Sequence, residues 1–188
     1  MLLPAIIILT LYAILGIIFF AVLFYVKLQG RELFGRPAMN IYIQIIGKFS
    51  MFVPVIVLLA AVLGKNIAWY EVPDWLRWVA VFICFEAVLF LNLSLIKMGK
   101  YTKMGLPQKD MVKLQTGGIY KLSRNPMYFG LFLMAIASVL YVPNPINLLA
   151  AVVGIVIHNQ IIKNEERFLE DNFGDQWLIY KSKVRRYF

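Results

Sequence analysis

The sequence predicts an all-α, polytopic membrane protein with about five transmembrane helices, a C-terminal helical hairpin and an amphipathic tail. Of its 188 residues, 61% are hydrophobic, and the mean hydropathy is +0.75; an ordinary soluble domain is about half apolar. The apolar residues form long runs, and roughly 20 helical residues cross the hydrocarbon core of a bilayer. Basic residues concentrate in alternate loops between these runs, and we treat residues 1–188 as a single membrane domain.

Three apolar runs make up the N-terminal part of this domain, residues 1–97. The first, Leu2–Val26, has no basic residue before it and no small-residue cleavage site. We therefore expect a membrane helix there, since a cleavable signal peptide carries both features. The runs Ile41–Leu63 and Trp75–Ile96 have the length of a second and a third span.

Two further runs predict a tight helical hairpin within residues 98–188. Met127–Val142 corresponds to about 24 Å of helix, which barely crosses a bilayer, and Ile146–Ile162 follows it. Between them, Pro143-Asn144-Pro145 reverses the chain, because proline cannot continue a helix and restricts the residue before it. The two other ends of the hairpin, near Asn125 and Glu165, must then return to the same membrane face.

The chain becomes amphipathic after Glu166, where aromatic and aliphatic residues alternate with charged ones. Gly174 is expected to end one helix, and Asp175 to cap the start of another. Such helices lie in the membrane interface, so this tail is expected to cover whatever the hairpin ends hold.

The loop charges predict the orientation of the chain. Residues 27–40, residues 97–124 and the tail are basic, and the second of these segments holds seven Lys or Arg against one Asp. Residues 64–74 and the Pro-Asn-Pro turn are not basic. Because basic loops stay in the cytoplasm, we expect the N-terminus outside and the C-terminus and both hairpin ends in the cytoplasm.

Composition argues against several classes of function. A single cysteine, Cys84, and a single histidine, His158, exclude a disulfide framework and disfavour a His/Cys metal site. The net charge of +9 is typical of the positive-inside rule and of contact with anionic headgroups. We therefore predict no metal and no nucleic-acid partner.

Asn125 and Pro126 form the first candidate binding feature. Asn is a preferred N-cap and Pro a preferred first helical residue, so the free backbone N–H groups of the next helix would face the basic loop. A carboxylate or phosphate would be held there, with Arg124 able to reinforce it. The alternative is a plain helix start at which Arg124 contacts lipid headgroups.

Glu165 and Glu166 form the second feature, at the other end of the hairpin. Their carboxylates would bind an ammonium, a sulfonium or ribose hydroxyls; the alternative is a solvated helix end paired with Lys121 or Arg124. Taken together, the two features form an anion-favouring and a cation-favouring site at one membrane face. A ligand with both an α-carboxylate and an α-ammonium group, such as an amino-acid-like cofactor, fits this combination.

The same residues carry a family resemblance, which covers a little under half of the chain, from about Lys109 onward. Arg-Asn-Pro-x-Tyr-x-Gly at 124–130, Glu-Glu at 165–166 and Phe-Gly at 173–174 resemble the isoprenylcysteine carboxyl methyltransferase and phospholipid methyltransferase superfamily. The resemblance implies an integral membrane methyltransferase that uses S-adenosyl-L-methionine. It also implies a cofactor between the last two spans, capped by the tail, and a lipid or lipophilic substrate that enters from the bilayer.

Matching positions carry the family's site residues over to this chain. The positions that the resemblance assigns to the cofactor are Leu114, Gln115, Tyr120, Asn125, Pro126, Met127, Tyr128 and Glu165. The prenylcysteine enzymes usually have His at position 125, and upstream of the glutamates they have an Arg thought to hold the substrate carboxylate. In this chain Asn-Pro-Met-Tyr at 125–128 is nearer the phospholipid N-methyltransferase version. The stretch 158–161 reads His-Asn-Gln-Ile and lacks that arginine, which argues against a prenylcysteine substrate.

Two polar residues inside the spans are candidates for catalysis. His158 lies two helical turns before Glu165, on the same helix face, and is a candidate general base for an amine acceptor; the alternative is a packing histidine. Glu86 lies within the third span, where a carboxylate usually has a partner or a function. It is a candidate contact for a substrate headgroup or a structural hydrogen-bonding group.

Two other interpretations of the whole chain remain open at the level of the sequence. One is a sterol-reductase-like enzyme that uses NADPH, since those enzymes have a related C-terminal fold. The other is a non-catalytic membrane protein in which the motif is structural.

Overall fold

The computed structural model describes residues 2–31, 35–65, 67–102, 105–106 and 114–188. Within these ranges the chain is helical, and no strand is formed. Single 3-10 turns occur at Gly99–Tyr101 and Gly118–Lys121. The described residues form six α-helices: α1 (Leu2–Leu28), α2 (Ile41–Val62), α3 (Asp74–Met98), α4 (Pro126–Tyr141), α5 (Pro145–Phe173) and α6 (Asp175–Lys183).

Four of these helices, α1, α2, α3 and α5, are long and apolar enough to span a bilayer. The predicted fourth span, α4, is apolar but has only 16 residues, or about 24 Å of helix. The chain is therefore an integral membrane protein, and its described part contains four full-length hydrophobic helices with one shorter apolar helix between α3 and α5.

Glycines allow the helices to approach closely. The start of α4 packs against α3, where a Cβ on Gly130 would lie 2.9 Å from the carbonyl oxygen of Ala87. In the same way, α2 and α5 meet at Gly47, where a Cβ would overlap the side chain of Ile157. In membranes, helices associate through van der Waals contact and short polar bonds, so such small residues mark the interfaces.

The Pro-Asn-Pro turn joins α4 to α5 as predicted. The side-chain oxygen of Asn144 accepts a hydrogen bond from the Ile146 N–H (2.9 Å), and its amide donates to the Ile67 carbonyl (2.9 Å). Just inside the hairpin, the buried Asn147 amide donates to the Ser138 hydroxyl (3.1 Å), which in turn donates to the Pro54 carbonyl (2.7 Å). The hairpin is thus fixed to α2 and to the loop before α3.

The last apolar run differs from its predicted extent. It is predicted to end at Ile162, but α5 continues to Phe173 and carries both glutamates within a regular helix. Gly174 then breaks the helix at φ +46°, a conformation that glycine adopts without strain. The prediction of Asp175 as the N-cap of the next helix is wrong: Gly174 is both the C-cap of α5 and the N-cap of α6, and Asp175 lies in the first turn.

Candidate active site

The two open ends of the hairpin meet through hydrogen bonds. The Tyr128 hydroxyl on α4 donates to Oε1 of Glu165 on α5 at 2.8 Å. The amide of Asn125, at the start of α4, donates to Oε1 of Glu166 at 2.9 Å. The predicted convergence of these ends is confirmed, and each of the two glutamates has its own partners.

Glu165 lies in a set of polar side chains that we call the polar cluster: Lys48, Tyr120, Tyr128, His158 and Glu165. Its Oε1 accepts the Tyr128 bond, while its Oε2 has no hydrogen-bond partner among the described residues. The phenol of Tyr120 is buried and close enough to Glu165 to interact electrostatically. Because burial raises the pKa of Tyr120, that phenol stays neutral at physiological pH.

His158 is buried beside Tyr128, with the two ring centroids 5.8 Å apart. Its Nδ1 lies 2.8 Å from the Gly154 carbonyl oxygen. A carbonyl only accepts hydrogen bonds, so Nδ1 carries a proton. In the neutral ring, Nε2 is then the unprotonated nitrogen, which is the form that a general base requires.

Lys48 was not among the predicted site residues. It lies on α2 next to Gly47, the residue at which α2 touches Ile157 and the His158 ring, and its charge acts on both His158 and Glu165. The signal was present in the sequence, because Lys48 is a charged residue inside an apolar run, and such residues are functional candidates by default.

The start of α4 offers free backbone donors. Asn125 occupies the predicted N-cap position and its carbonyl accepts from the Phe129 N–H (3.0 Å), but its side chain does not cap the helix. The N–H groups of Met127 and Tyr128 have no hydrogen-bond partner among the described residues. Two free donors at the positive end of a helix have the polarity that attracts an anion.

Glu166 is the centre of a buried ion cluster that we call the Glu166 cluster: Arg124, Asn125, Glu166 and Arg186. The Arg124 Nε donates to Oε1 (3.2 Å), and the Arg186 guanidinium donates to Oε2 through Nη2 (2.7 Å) and Nε (3.1 Å). The side chains of Arg124 and Glu166 are only 8% and 6% exposed. The Asn125 amide also donates to Oε1, so both carboxylate oxygens of Glu166 accept hydrogen bonds.

The guanidinium of Arg124 therefore does not point to the free donors of α4. Besides Glu166, its Nη1 donates to the carbonyls of Val184 (2.6 Å) and Lys181 (3.2 Å), and the guanidinium also lies 5.8 Å from the Trp177 ring. The predicted pairing of Arg124 with the glutamates is thus observed at Glu166. The structure does not show Arg124 beside the free N–H groups of α4, where it was expected to reinforce an anion site.

The tail crosses both hairpin ends. The backbone N–H groups of Arg124 and Asn125 donate to the carbonyls of Arg185 (2.9 Å) and Arg186 (3.2 Å). Beyond them, the Tyr187 hydroxyl donates to Asn159 Oδ1 on α5 (2.6 Å). Residues 184–188, with α6 before them, therefore form a strap that holds α4 and α5 together.

The end of the strap is aromatic. The Phe188 ring stacks on Phe129 (6.1 Å between centroids, 15° between planes) and meets the Phe90 ring edge-on at 6.2 Å. The strap thereby contacts α3 as well as the hairpin.

The remaining predicted residues lie at the margin of this arrangement or away from it. Leu114 and Gln115 are partly buried, and Gln115 makes no hydrogen bond among the described residues. Pro126 is buried at the first position of α4, and Met127 packs against the apolar core formed by α1–α4.

Glu86 is separated from the polar cluster. It lies on α3 among exposed apolar side chains such as Phe82 and Leu93, and it forms no hydrogen bond or ion pair within the described ranges. Two other residues of α3 contact α4 instead: Ala87 packs against Gly130, and the Phe90 ring packs against the Phe129 ring. Nothing in the geometry brings Glu86 to His158 or Glu165.

Comparison with known proteins gives this arrangement a family. A model of the phospholipid methyltransferase family matches residues 75–176. An uncharacterized protein of Haemophilus influenzae is 40% identical over 62 residues, which is 32% of this chain and 98% of that protein.

Named methyltransferases are also similar to the chain. Protein-S-isoprenylcysteine O-methyltransferase of Dictyostelium discoideum is 29% identical over 125 residues, 63% of this chain and 53% of that protein. The enzyme of that name in Saccharomyces cerevisiae is 33% identical over 78 residues, 41% of this chain and 32% of the relative. The chain thus spans about half or less of the length of these two relatives. The family model, in contrast, covers more than half of the chain and includes both glutamates, and on that match the protein belongs to the phospholipid methyltransferase family.

Proposed function

We propose that the protein is an S-adenosylmethionine-dependent membrane methyltransferase that methylates a carboxylate or an amine of a lipid or lipophilic acceptor. The observation that carries the proposal is the pairing of a carboxylate that has a free oxygen, on Glu165, with the free N–H groups at the start of α4. The N–H groups favour an anion and the carboxylate favours a cation, and they lie on the two helices of one hairpin. Both helix ends fall within residues 75–176, which the family model matches.

The residues present fit the charge pattern of the cofactor. Its carboxylate matches the N–H groups of Met127 and Tyr128 at the positive end of α4. Its ammonium and ribose hydroxyls match Glu165, with Tyr120 and Tyr128 as neutral hydrogen-bonding neighbours. When bound, the sulfonium supplies an electrophilic methyl group, and the task of the chain is to align the acceptor in line with it and keep water out.

The two glutamates have different roles in this proposal. Glu165 has a free oxygen and contacts the ligand. Glu166 has both oxygens occupied by Arg124, Asn125 and Arg186, so it acts as a positioning residue that closes the strap over the hairpin ends. Leu114, Gln115 and Tyr120, which precede α4, are proposed to contact the cofactor.

The type of acceptor determines whether the chain must move a proton. A carboxylate attacks as the anion and needs no base. A protonated amine must first lose a proton, and Nε2 of His158 is the available acceptor, because Nδ1 is held by the Gly154 carbonyl. The proposal assigns no proton transfer to Glu86, which forms no hydrogen bond or ion pair within the described ranges.

We expect the hairpin ends and the strap to lie in the cytoplasm, and the N-terminus and the α4–α5 turn outside, because basic segments tend to remain in the cytoplasm. This orientation gives the free donors of α4 access to a water-soluble cofactor, while the acceptor arrives through the bilayer.

Calorimetry and product analysis test the proposal. Purified protein in detergent is titrated with S-adenosylmethionine and, in parallel, with NADPH; binding of the first and not of the second is the expected result. Radiolabelled S-adenosylmethionine is then incubated with the protein and a total lipid extract, and the labelled product is identified. Binding of NADPH alone, or a lipid extract that stays unlabelled, would contradict the proposal.

A further inference from the structure

We propose that Lys48 on α2 holds the anionic headgroup of the lipophilic acceptor, a carboxylate or a phosphate on a long apolar chain. This inference rests on the proposed function, because it assigns the acceptor side of the same site. Its structural basis is the placement of a lysine inside a spanning helix, near Glu165 and His158 of the polar cluster and without an ion-pair partner among the described residues.

The position of Lys48 is fixed by packing. It follows Gly47, whose Cα approaches the side chain of Ile157 and lies near the His158 ring: a Cβ there would be 3.8 Å from His158 Cε1. Gln44 and Met51, one turn to either side of Lys48, are buried in the packed face of α2. Lys48 is therefore directed to the edge of the α2–α5 contact, about 10 Å along the helix from Ile41.

The charge of Lys48 is only partly compensated. Its ammonium acts electrostatically on Glu165 and His158, but no carboxylate forms an ion pair with it in the described part of the chain. Glu166, the next carboxylate on α5, is already saturated by two guanidinium groups. An ammonium group at this depth is costly unless an anion joins it.

Binding of the cofactor would increase this imbalance. If Glu165 pairs with the ammonium group of the ligand, the same carboxylate no longer balances Lys48, and an anion at Lys48 then takes its place. The two ligands should therefore bind with positive coupling, each raising the affinity for the other.

The surface beside Lys48 suits an apolar chain. Ile45, Phe49 and Phe52 of α2 are 42%, 71% and 61% exposed, and in a spanning helix such side chains face lipid. A headgroup that reaches Lys48 from the bilayer leaves its hydrocarbon chain along these residues.

The test measures binding, so it does not depend on turnover. Tritiated palmitate, hexadecyl phosphate and hexadecanol, which share one chain length, are equilibrated with the protein in neutral-detergent micelles at a mildly alkaline pH that ionises both acids. The binding of each amphiphile is measured with and without S-adenosylhomocysteine. This molecule carries the carboxylate and the ammonium of the cofactor but has no methyl group to transfer. The variants are Lys48→Met and Lys48→Arg, with Lys65→Met, beyond the opposite end of α2, as the control; Lys48→Gln replaces Lys48→Met if the latter does not fold.

The expected wild-type result is a preference of about tenfold or more for an ionised amphiphile over hexadecanol, the size of one charge-assisted hydrogen bond. S-adenosylhomocysteine should increase this preference. Lys48→Met should remove both effects, whereas Lys48→Arg and Lys65→Met keep them. Tighter retention of palmitate identifies a carboxylate headgroup, and tighter retention of hexadecyl phosphate identifies a phosphate.

Two results would overturn the proposal. One is a preference for ionised amphiphiles that persists in Lys48→Met. In that case Lys48 does not bind the acceptor, and its side chain only extends toward the lipid headgroups of the bilayer. The other is a Lys48→Met variant that keeps the wild-type amphiphile preference but binds S-adenosylhomocysteine about tenfold more weakly than the wild type does. That result would assign Lys48 to the cofactor carboxylate. If S-adenosylhomocysteine does not bind the wild type at all, the proposed function fails, while the preference measured without it still decides the role of Lys48.

Discussion

Tyr128 and Glu165 lie 37 positions apart in the chain and are joined by a hydrogen bond of 2.8 Å between the phenol and one carboxylate oxygen. The bond links the first turn of α4 to the far part of α5, and so it closes the open end of the hairpin. It also orients the carboxylate, so that only one of its two oxygens remains available to a ligand.

Glu165→Gln should weaken binding of S-adenosylmethionine by about 10- to 100-fold, because a neutral amide replaces the acceptor of charge-assisted hydrogen bonds. Calorimetric titration of the purified variant measures the change. Glu170→Gln is the matched control, since Glu170 pairs with Lys181 on an exposed surface, and it should bind as the wild type does. Equal affinities for the wild type and Glu165→Gln would mean that the cofactor site lies elsewhere.

Glu166→Gln should destabilise the folded protein by about 3 kcal/mol, because it leaves the guanidinium groups of Arg124 and Arg186 without their shared carboxylate in a mostly buried site. Thermal unfolding in detergent and the rate of proteolysis within residues 184–188 report the loss. Glu170→Gln, which removes the exposed ion pair with Lys181, should lower the free energy of unfolding by at most about 1 kcal/mol. A strap that stays as resistant to proteolysis in Glu166→Gln as in the wild type would contradict the role given to this cluster.

Gly47→Ala should destabilise the protein by about 1–3 kcal/mol, since its new Cβ overlaps the Ile157 side chain and separates α2 from α5. The second substitution Ile157→Ala makes room and should recover part of the loss, in a double-mutant cycle followed by thermal unfolding. Gly16→Ala is the control, because a Cβ there meets no atom within 4 Å. Additive effects of Gly47→Ala and Ile157→Ala would show that the two residues do not touch.

Cysteine labelling tests the orientation of the chain. Cys84 is buried, and Cys84→Ala provides a background without cysteine. On this background, Tyr70→Cys should react with a membrane-impermeant maleimide in intact cells, and Ser182→Cys only after permeabilisation, since both positions are exposed in the fold. The opposite pattern would place the strap and the hairpin ends outside the cell.

The sequence was sufficient to predict the helical hairpin and the convergence of its ends. A Pro-Asn-Pro turn of three residues leaves little freedom in how α4 returns to α5, and helical rise then sets the depth of Glu165. The boundary of α5 was harder to predict, because hydropathy falls near Ile162 although the helix continues to Phe173. Loss of apolar character marks the end of a hydrophobic segment, and backbone hydrogen bonding can continue beyond it.

The division of labour between Glu165 and Glu166 could not be predicted from the sequence. Adjacent residues of a helix point about 100° apart, so one carboxylate faces the polar cluster and the other faces the strap. Which glutamate faces which side depends on the rotation of α5 against α4. That rotation is set by long-range packing, such as the contact of Gly47 with Ile157. Arg186 was missed for the same reason, since its partner lies 20 positions away and is reached only after the turn at Gly174.

The strap of residues 184–188 has a consequence for biosynthesis. The strap contacts the start of α4 through hydrogen bonds to Arg124 and Asn125 and through the stacking of Phe188 on Phe129. The start of α4 leaves the ribosome long before the strap, which follows α6. The hairpin can therefore insert into the bilayer before the strap exists, with its polar end still open. Closure then follows insertion, and a chain truncated within α6 would insert without the strap that joins α4 to α5.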